Sequence, residues 1–282
     1  MRFGFVVPGG DVAEHIKFAE ELEAAGWDGV FVADGVYGTD PWVSLAACAV
    51  RTERIRLGTL LTPVSRRRPW KLASELATLD RLSNGRAILC AGLGATDTGF
   101  GSVGEATDRK VRAQLLDEGL ELVTRFWSGK PFKYTGQHYR VNWGKGWLYT
   151  PVQQPRIPIW VVGAWPRPAS MRRPLRYDGL IAAKMTAEGH FENPTPEDIR
   201  DIRKFVDENR TEQGPFDIIV EGVTPINDPE KAAAVVQEYS EVGATWWIES
   251  MWDTPGGMKA ALKRALQGPP SIPWRASKKV DT

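Results

Sequence analysis

Apolar residues fall along this chain in two alternating rhythms. Short, nearly continuous apolar runs recur at Arg2–Val7, Gly29–Ala33, Ile55–Leu61, Ala87–Leu93, Ile157–Val162, Gly179–Ala183, Phe216–Glu221 and Thr245–Glu249. Such runs suit strands buried on both faces, as in a parallel sheet covered by helices. Between them lie longer stretches with apolar positions three and four residues apart, as in Val12, Ile16, Ala19 and Leu22, and again in Val111, Leu115, Leu122 and Phe126. That spacing predicts helices, each laying one stripe on a sheet. The repeated βα unit predicts an α/β fold, a (β/α)8 TIM barrel, as one domain over 1–268 with a tail at 269–282.

Glycine and proline mark where the units close and reopen. Ala25-Gly26, Ser83-Asn84-Gly85 and Val242-Gly243 read as helix stops, while Thr39-Asp40-Pro41, Arg68-Pro69 and Asn227-Asp228-Pro229 read as helix starts. One segment breaks the rhythm. Residues 129–155, between the fourth helix and the fifth strand, are rich in Trp, Tyr, Gly and Pro, and Tyr134-Thr135-Gly136-Gln137-His138-Tyr139 is hairpin-like. Helix-to-strand connections lie on the amino-terminal face of a barrel, so the insertion is expected to be structural, as a plug of the floor or an interface. The proline-bearing tail is expected to be poorly ordered.

Composition narrows the class. The chain has 282 residues, 42% hydrophobic and 25% charged, with a formal net charge of +1. A near-neutral chain has no general electrostatic pull toward nucleic acid or acidic membranes, so a small-molecule substrate is expected. No run approaches the roughly 20 apolar residues of a membrane helix, and the start, Met1-Arg2-Phe3-Gly4-Phe5, reads as a strand rather than a leader. Cys48 and Cys90 sit in apolar surroundings, which favours buried thiols and a cytoplasmic setting.

In a barrel the chemistry belongs to strand carboxyl ends and the loops after them. Zincin, clustered Cys/His, nucleophile-elbow and phosphate-loop motifs are absent, so no metal is expected. Gly92-Leu93-Gly94 with Gly99 lacks dinucleotide spacing and follows the fourth strand; small residues there let a ligand approach the backbone. Gly163-Ala164-Trp165 precedes a helix expected to start at Pro166, whose free amides could bind phosphate, with tight loop packing as the other reading. Three titratable groups are the catalytic candidates. Asp34 serves either a ring or substrate or a helix cap. His190 is the one His on the active face and is either acid/base or solvated. Lys184 stands either beside a cofactor or in a pair with Glu221 or Glu249. Adjacent Trp246 and Trp247 must face opposite sides of their strand.

Several stretches together resemble the luciferase-like monooxygenase superfamily. They are Ile55-Arg56-Leu57-Gly58-Thr59-Leu60-Leu61-Thr62-Pro63, Arg68-Pro69-Trp70-Lys71-Leu72-Ala73 and Leu79-Asp80-Arg81-Leu82-Ser83-Asn84-Gly85-Arg86. Phe31-Val32-Ala33-Asp34, Gly136-Gln137-His138-Tyr139 and Pro155–Gly163 add to them. The resemblance implies a barrel that uses reduced FMN or, alternatively, a reduced deazaflavin. It places the ring by Leu61 and Thr62, where relatives often have a non-prolyl cis peptide. It places ribityl and phosphate groups by Leu93, Gly94, Gly163, Ala164 and Trp165, and puts Asp34 at the family's acidic position. Gly35 stands where many relatives have His, and Leu93 where some flavin-binding relatives have Arg. The expected activity is an FMN-dependent monooxygenase acting with oxygen on a small, largely apolar substrate, served by a separate flavin reductase and forming a homodimer. Deazaflavin-dependent hydride transfer and an inactive flavin-binding barrel are the alternatives.

Overall fold

The computed structural model describes residues 1–144, 149–252 and 254–271. Eight strands form its centre: β1 (Arg2–Val7), β2 (Gly29–Val32), β3 (Arg56–Thr59), β4 (Ala87–Gly92), β5 (Ile159–Trp165), β6 (Gly179–Met185), β7 (Asp217–Gly222) and β8 (Trp246–Glu249). Each pairs in parallel with the next, and β8 returns to β1 in register from Arg2↔Trp246 to Phe5↔Glu249. The ring is therefore closed, and every strand is protected from edge pairing.

Around it stand α1 (Val12–Ala24), α2 (Pro41–Ala49), α3 (Pro69–Leu82), α4 (Arg109–Trp127), α5 (Pro168–Arg172), α6 (Pro196–Asn209), α7 (Pro229–Glu241) and α8 (Gly257–Ala265). The starts foreseen at Pro41, Pro69 and Pro229 are realised, with Asp40 and Asp228 accepting from backbone amides of the first turn. None of the described helices is long and apolar enough to cross a membrane.

Strand alternation divides the apolar residues into two cores. Val6, Phe31, Ile88, Cys90, Trp160, Ile181, Ile219, Trp246 and Ile248 fill the lumen, while Phe5, Val30, Leu57, Leu89, Val161, Leu180, Val220 and Trp247 pack under the helices. Trp246 and Trp247 thus part as expected. The amino-terminal half of the lumen is closed by Phe31, Trp160 and Trp246, with ring centroids 5.0 to 6.3 Å apart. These rings fit because the wall behind them lacks side chains. A Cβ on Gly4 would stand 2.6 Å from Phe31 Cε2, and one on Gly179 would stand 2.5 Å from Trp160 Cδ1.

A second floor device is Arg86. Its Nε donates to Ser83 O, Nη1 to Thr52 Oγ1 and Ile55 O, and Nη2 to Ala49 O and Thr52 O, all at 2.8–2.9 Å. All five guanidinium N–H groups are engaged, which joins the end of α2, the approach to β3 and the end of α3.

Several boundaries differ from the sequence reading. The third run stops pairing at Thr59; the Leu60–Leu61 peptide is cis, and Thr62–Pro63 pairs again with Ala91 and Gly92. In α1 the buried stripe is His15, Phe18, Ala19 and Leu22, while Val12 is exposed. In α4 it is Arg112, Leu116, Leu120, Val123 and Trp127. Of the foreseen stripe Leu122 is fully buried, Val111 and Leu115 are half-buried, and Phe126 packs on Phe132 and Trp143 of the insertion.

That contact corrects the floor plug. The insertion forms an antiparallel hairpin, Phe132–Thr135 with Arg140–Trp143, that climbs the outside of α4. Glu118 of α4 accepts the amides of Gln137, His138 and Tyr139 at its tip. The return segment meets the floor, where the Val152 and Gln153 amides donate to Asp80 Oδ2. Residues 145–148 of the insertion and the tail from 272 onward lie outside the described residues.

Candidate active site

The carboxyl end of the lumen is built differently from its floor. Above the aromatic layer the inward-facing positions continue as Ala33, Leu61, Gly92, Val162, Ala164, Ala183 and Glu221. Ala33 is exposed, and Leu61, Val162, Ala183 and Glu221 are half-buried. Inward-facing residues that meet solvent define an open mouth, and small ones leave space for a flat ligand.

The segments expected to hold a cofactor come together on one side of that mouth. Thr62–Pro63 pairs with the end of β4, and β4 pairs with β5, so the tips carrying Leu61–Thr62, Leu93–Gly94 and Gly163–Trp165 are neighbours. The cis peptide lies at Leu60–Leu61, at the place implied by the resemblance. Thr62 is buried, and its hydroxyl is 2.8 Å from that of Thr59.

The Leu93–Gly94 turn is held from below by a residue that the sequence reading missed. Arg112 Nη1 donates to the carbonyls of both residues at 2.9 Å. Gly94 has φ +74, and a Cβ there would stand 2.7 Å from Pro63 and 2.8 Å from Phe100. Phe100 in turn lies between two guanidinium groups, 5.1 Å from Arg66 and 5.7 Å from Arg112. Burial lowers both arginines from their ordinary value. Its signal in the sequence is an Arg in the buried register of α4, a position that apolar spacing does not mark.

After β5 the geometry departs from expectation. The helix starts at Pro168, with Arg167 as its cap, and runs for five residues. Pro166 instead follows a cis peptide at the strand end. The Ala164 amide donates to Ser170 Oγ at 3.0 Å, and the Gly163 Cβ position points outward at Met171 and Leu180. The Trp165 ring stacks edge-on toward Phe205 of α6, 6.1 Å away, outside the mouth.

The three titratable candidates also fall apart. Asp34 is consumed by an ion-pair cluster: Oδ1 accepts from Arg66 at 3.0 Å and Oδ2 from Arg67 at 3.0 Å, while the Asp34 carbonyl also accepts from Arg66. Arg67 reaches on to Glu75 at 3.4 Å and Asp40 at 3.6 Å. An Asp held by two guanidinium groups is fixed in place and has its carboxylate oxygens occupied. A cleft of about 320 Å³ opens beside it, lined by Tyr37, Thr39, Arg66, Arg67, Val103 and Glu105 among others. Lys184 alternates with inward-facing Ala183 and so points away from the mouth; its Nζ donates to Asp198 Oδ2 at 2.9 Å, not to Glu221 or Glu249. That hydrogen bond raises the lysine above its ordinary value. His190 is exposed in the turn after β6, fixed through its backbone to Thr186.

Glu249 and Glu221 separate by the same alternation. Glu249 faces the helices, where Thr224 donates to it at 2.6 and 2.8 Å and Arg264 stands 3.8 Å away. Glu221 faces the mouth. The described residues contain no cluster of His, Cys, Asp and Glu able to hold a metal ion.

Comparison with known proteins agrees with this architecture. The F420-dependent glucose-6-phosphate dehydrogenase of Amycolatopsis mediterranei is 31% identical over 161 residues, 54% of this chain and 47% of that protein. An uncharacterised Mycobacterium tuberculosis protein is 37% identical over 125 residues, 44% of this chain and 43% of that protein. The matches thus span about half the length of these relatives. Among solved structures, coenzyme F420-dependent tetrahydromethanopterin reductase from Methanopyrus kandleri superposes with a TM-score of 0.77 at 17% identity, covering 95% of this chain and 98% of that one. The oxygenating constituent of 3,6-diketocamphane monooxygenase from Pseudomonas putida, in complex with FMN, gives 0.73 at 14% identity over 98% and 99% of the two chains. The family profile described as luciferase-like monooxygenase matches residues 1–268, and this closed barrel with its cis-peptide corner belongs to that family.

Proposed function

We propose that the protein is an oxidoreductase that transfers hydride between a deazaflavin of the F420 type and a small, largely apolar organic molecule. The observation that carries the reading is the mouth itself: small inward side chains at Ala33, Gly92, Ala164 and Ala183 above a sealed aromatic floor, beside the turn at Leu61–Thr62. That surface fits a flat tricyclic ring. The choice of deazaflavin over FMN is supported by the F420-dependent dehydrogenase relative and by Leu93, whose side chain packs into the outer core and offers no guanidinium to a phosphate.

When bound, the cofactor supplies the hydride or accepts it. The chain's own residues bind, orient and shield. Leu61 and Val162 wall the ring site, and the aromatic floor keeps water from entering below. Arg112 holds the Leu93–Gly94 turn at fixed height beside it. In this reading Asp34 positions Arg66 and Arg67 at the cleft next to the mouth, and the backbone of Gly163, Ala164 and Trp165 borders the cofactor's polar chain.

Titration with F420 and FMN, each oxidised and reduced, tests the reading through cofactor absorbance and quenching of Trp fluorescence. The expected result is F420 binding at least about tenfold tighter than FMN, a difference of about 1.4 kcal/mol. Tighter FMN binding with oxygen uptake by the reduced complex would return the FMN monooxygenase reading. Binding of neither cofactor would remove both.

A further inference from the structure

Strand β7 carries a carboxyl into the barrel mouth, where no cation among the described residues meets it. Ile219 faces the lumen, and residues two apart on a strand share a face, so Glu221 points inward one layer above it. Its Oε2 accepts from Ser250 Oγ at 3.0 Å and from Trp252 Nε1 at 3.5 Å. Among the described residues no Lys or Arg nitrogen lies within 4.0 Å of it, in contrast to Asp34, which has two guanidinium groups. The charged groups of the flanking strands turn away: Lys184 of β6 goes to Asp198, and Glu249 of β8 goes to Thr224 and Arg264. Across the lumen the titratable group that feels it is Cys90 of β4, a buried thiol that stays protonated. Burial is the largest influence on Glu221 and pushes its carboxyl above the ordinary range, against the two hydrogen bonds, which favour the ionised form.

Resting on the hydride-transfer reading above, we propose that Glu221 is the proton carrier of the site and that the substrate is a carbonyl compound or the corresponding alcohol. In the reducing direction a reduced deazaflavin held at the mouth would supply the hydride for the new C–H bond at the carbonyl carbon. The C=O π pair takes the carboxyl proton of Glu221 as the new O–H, leaving a carboxylate that regains a proton from water. The cofactor is oxidised, the carbonyl is reduced, and the reverse direction runs through the same atoms. The Ser250 hydroxyl and the Trp252 indole are the positioning groups that aim the carboxyl and steady its anion between turnovers.

Infrared difference titration of the full chain tests the acid directly. A protonated-carboxyl band that persists above the range in which an ordinary Glu ionises, near 4.3, and is lost in Glu221→Gln is expected. Ser250→Ala should move its midpoint upward, because the lost hydrogen bond favours the carboxylate; this second variant decides the matter if Glu221→Gln fails to fold. Reduced F420 is the second probe. Its dissociation constant should rise about tenfold through the same midpoint in the wild-type chain, where a carboxylate comes to oppose an anionic ligand, and stay flat in Glu221→Gln. Titration of the band in the ordinary range, or a downward shift in Ser250→Ala, overturns the proposal while F420 binding leaves the cofactor reading standing. Failure of the wild-type chain to bind F420 overturns the cofactor reading and the transfer step with it.

Discussion

Single residues in this barrel divide into those that satisfy backbone and those that face a ligand, and Arg86 is the clearest of the first kind. Lysine offers three donors from one point and cannot reproduce a five-way planar fork, so Arg86→Lys strands several buried acceptors. A loss of about 3 kcal/mol in urea unfolding is expected, with cofactor binding in the surviving folded fraction unchanged. His15 is a buried base: its Nδ1 is 2.6 Å from Ser44 Oγ, its Nε2 is 3.1 Å from Gly9 O, and burial lowers it below the ordinary 6.5. The unfolded chain therefore takes up the proton first as pH falls. Stability from this residue is complete above about pH 6.5 and is lost as pH drops from there toward the folded value. The urea midpoint should fall more between about pH 7.5 and 5.5 in the wild-type chain than in His15→Gln. Residue roles were partly legible in the sequence. Alternation along Phe216–Glu221 already put Glu221 on the same face as Ile219, whereas the partners of Asp34 and Lys184 come from loops and helices that no local pattern connects to them.

At the scale of elements, α4 carries apolar residues on more than one face, and of the expected stripe Leu122 alone is fully buried. An amphipathic helix usually buries one face, but α4 packs one against the barrel and lends Phe126 to the hairpin, so apolar spacing alone could not choose between registers. The hairpin tip hangs from one carboxylate, and the tight turn at Gly136 lets Glu118 approach so closely that a Cβ there would sit 2.2 Å from it. Glu118→Ala should detach the tip and cost about 2 kcal/mol, read as faster amide exchange at Gln137–Tyr139 with the exchange of β1–β8 unaltered. Helix α5 was legible as an element but not in its start, because Pro166 and Pro168 compete for that position and Pro166 lies in the turn between strand and helix.

Across the whole molecule, the eight strands were legible to within one or two residues at most ends, because strands buried on both faces have few other ways to be written. Closure of the ring depends on its last unit. Arg264 of α8, with Glu249 of β8 fully buried beside it, pins the final helix over the seam between β8 and β1. Arg264→Ala leaves that carboxylate without its cation and should cost about 3–5 kcal/mol in thermal or denaturant unfolding, far more than loss of a surface pair. Arg86 meanwhile sits at the opposite end from the mouth, in the Leu82-Ser83-Asn84-Gly85-Arg86 stretch, one of those on which the resemblance to the luciferase-like proteins was drawn. The stretch that carries the resemblance and the candidate site thus lie at opposite poles of the same molecule. A lineage could keep such a stretch intact beneath the floor while the handful of side chains around the opening vary, and those rim positions are where cousins should be told apart.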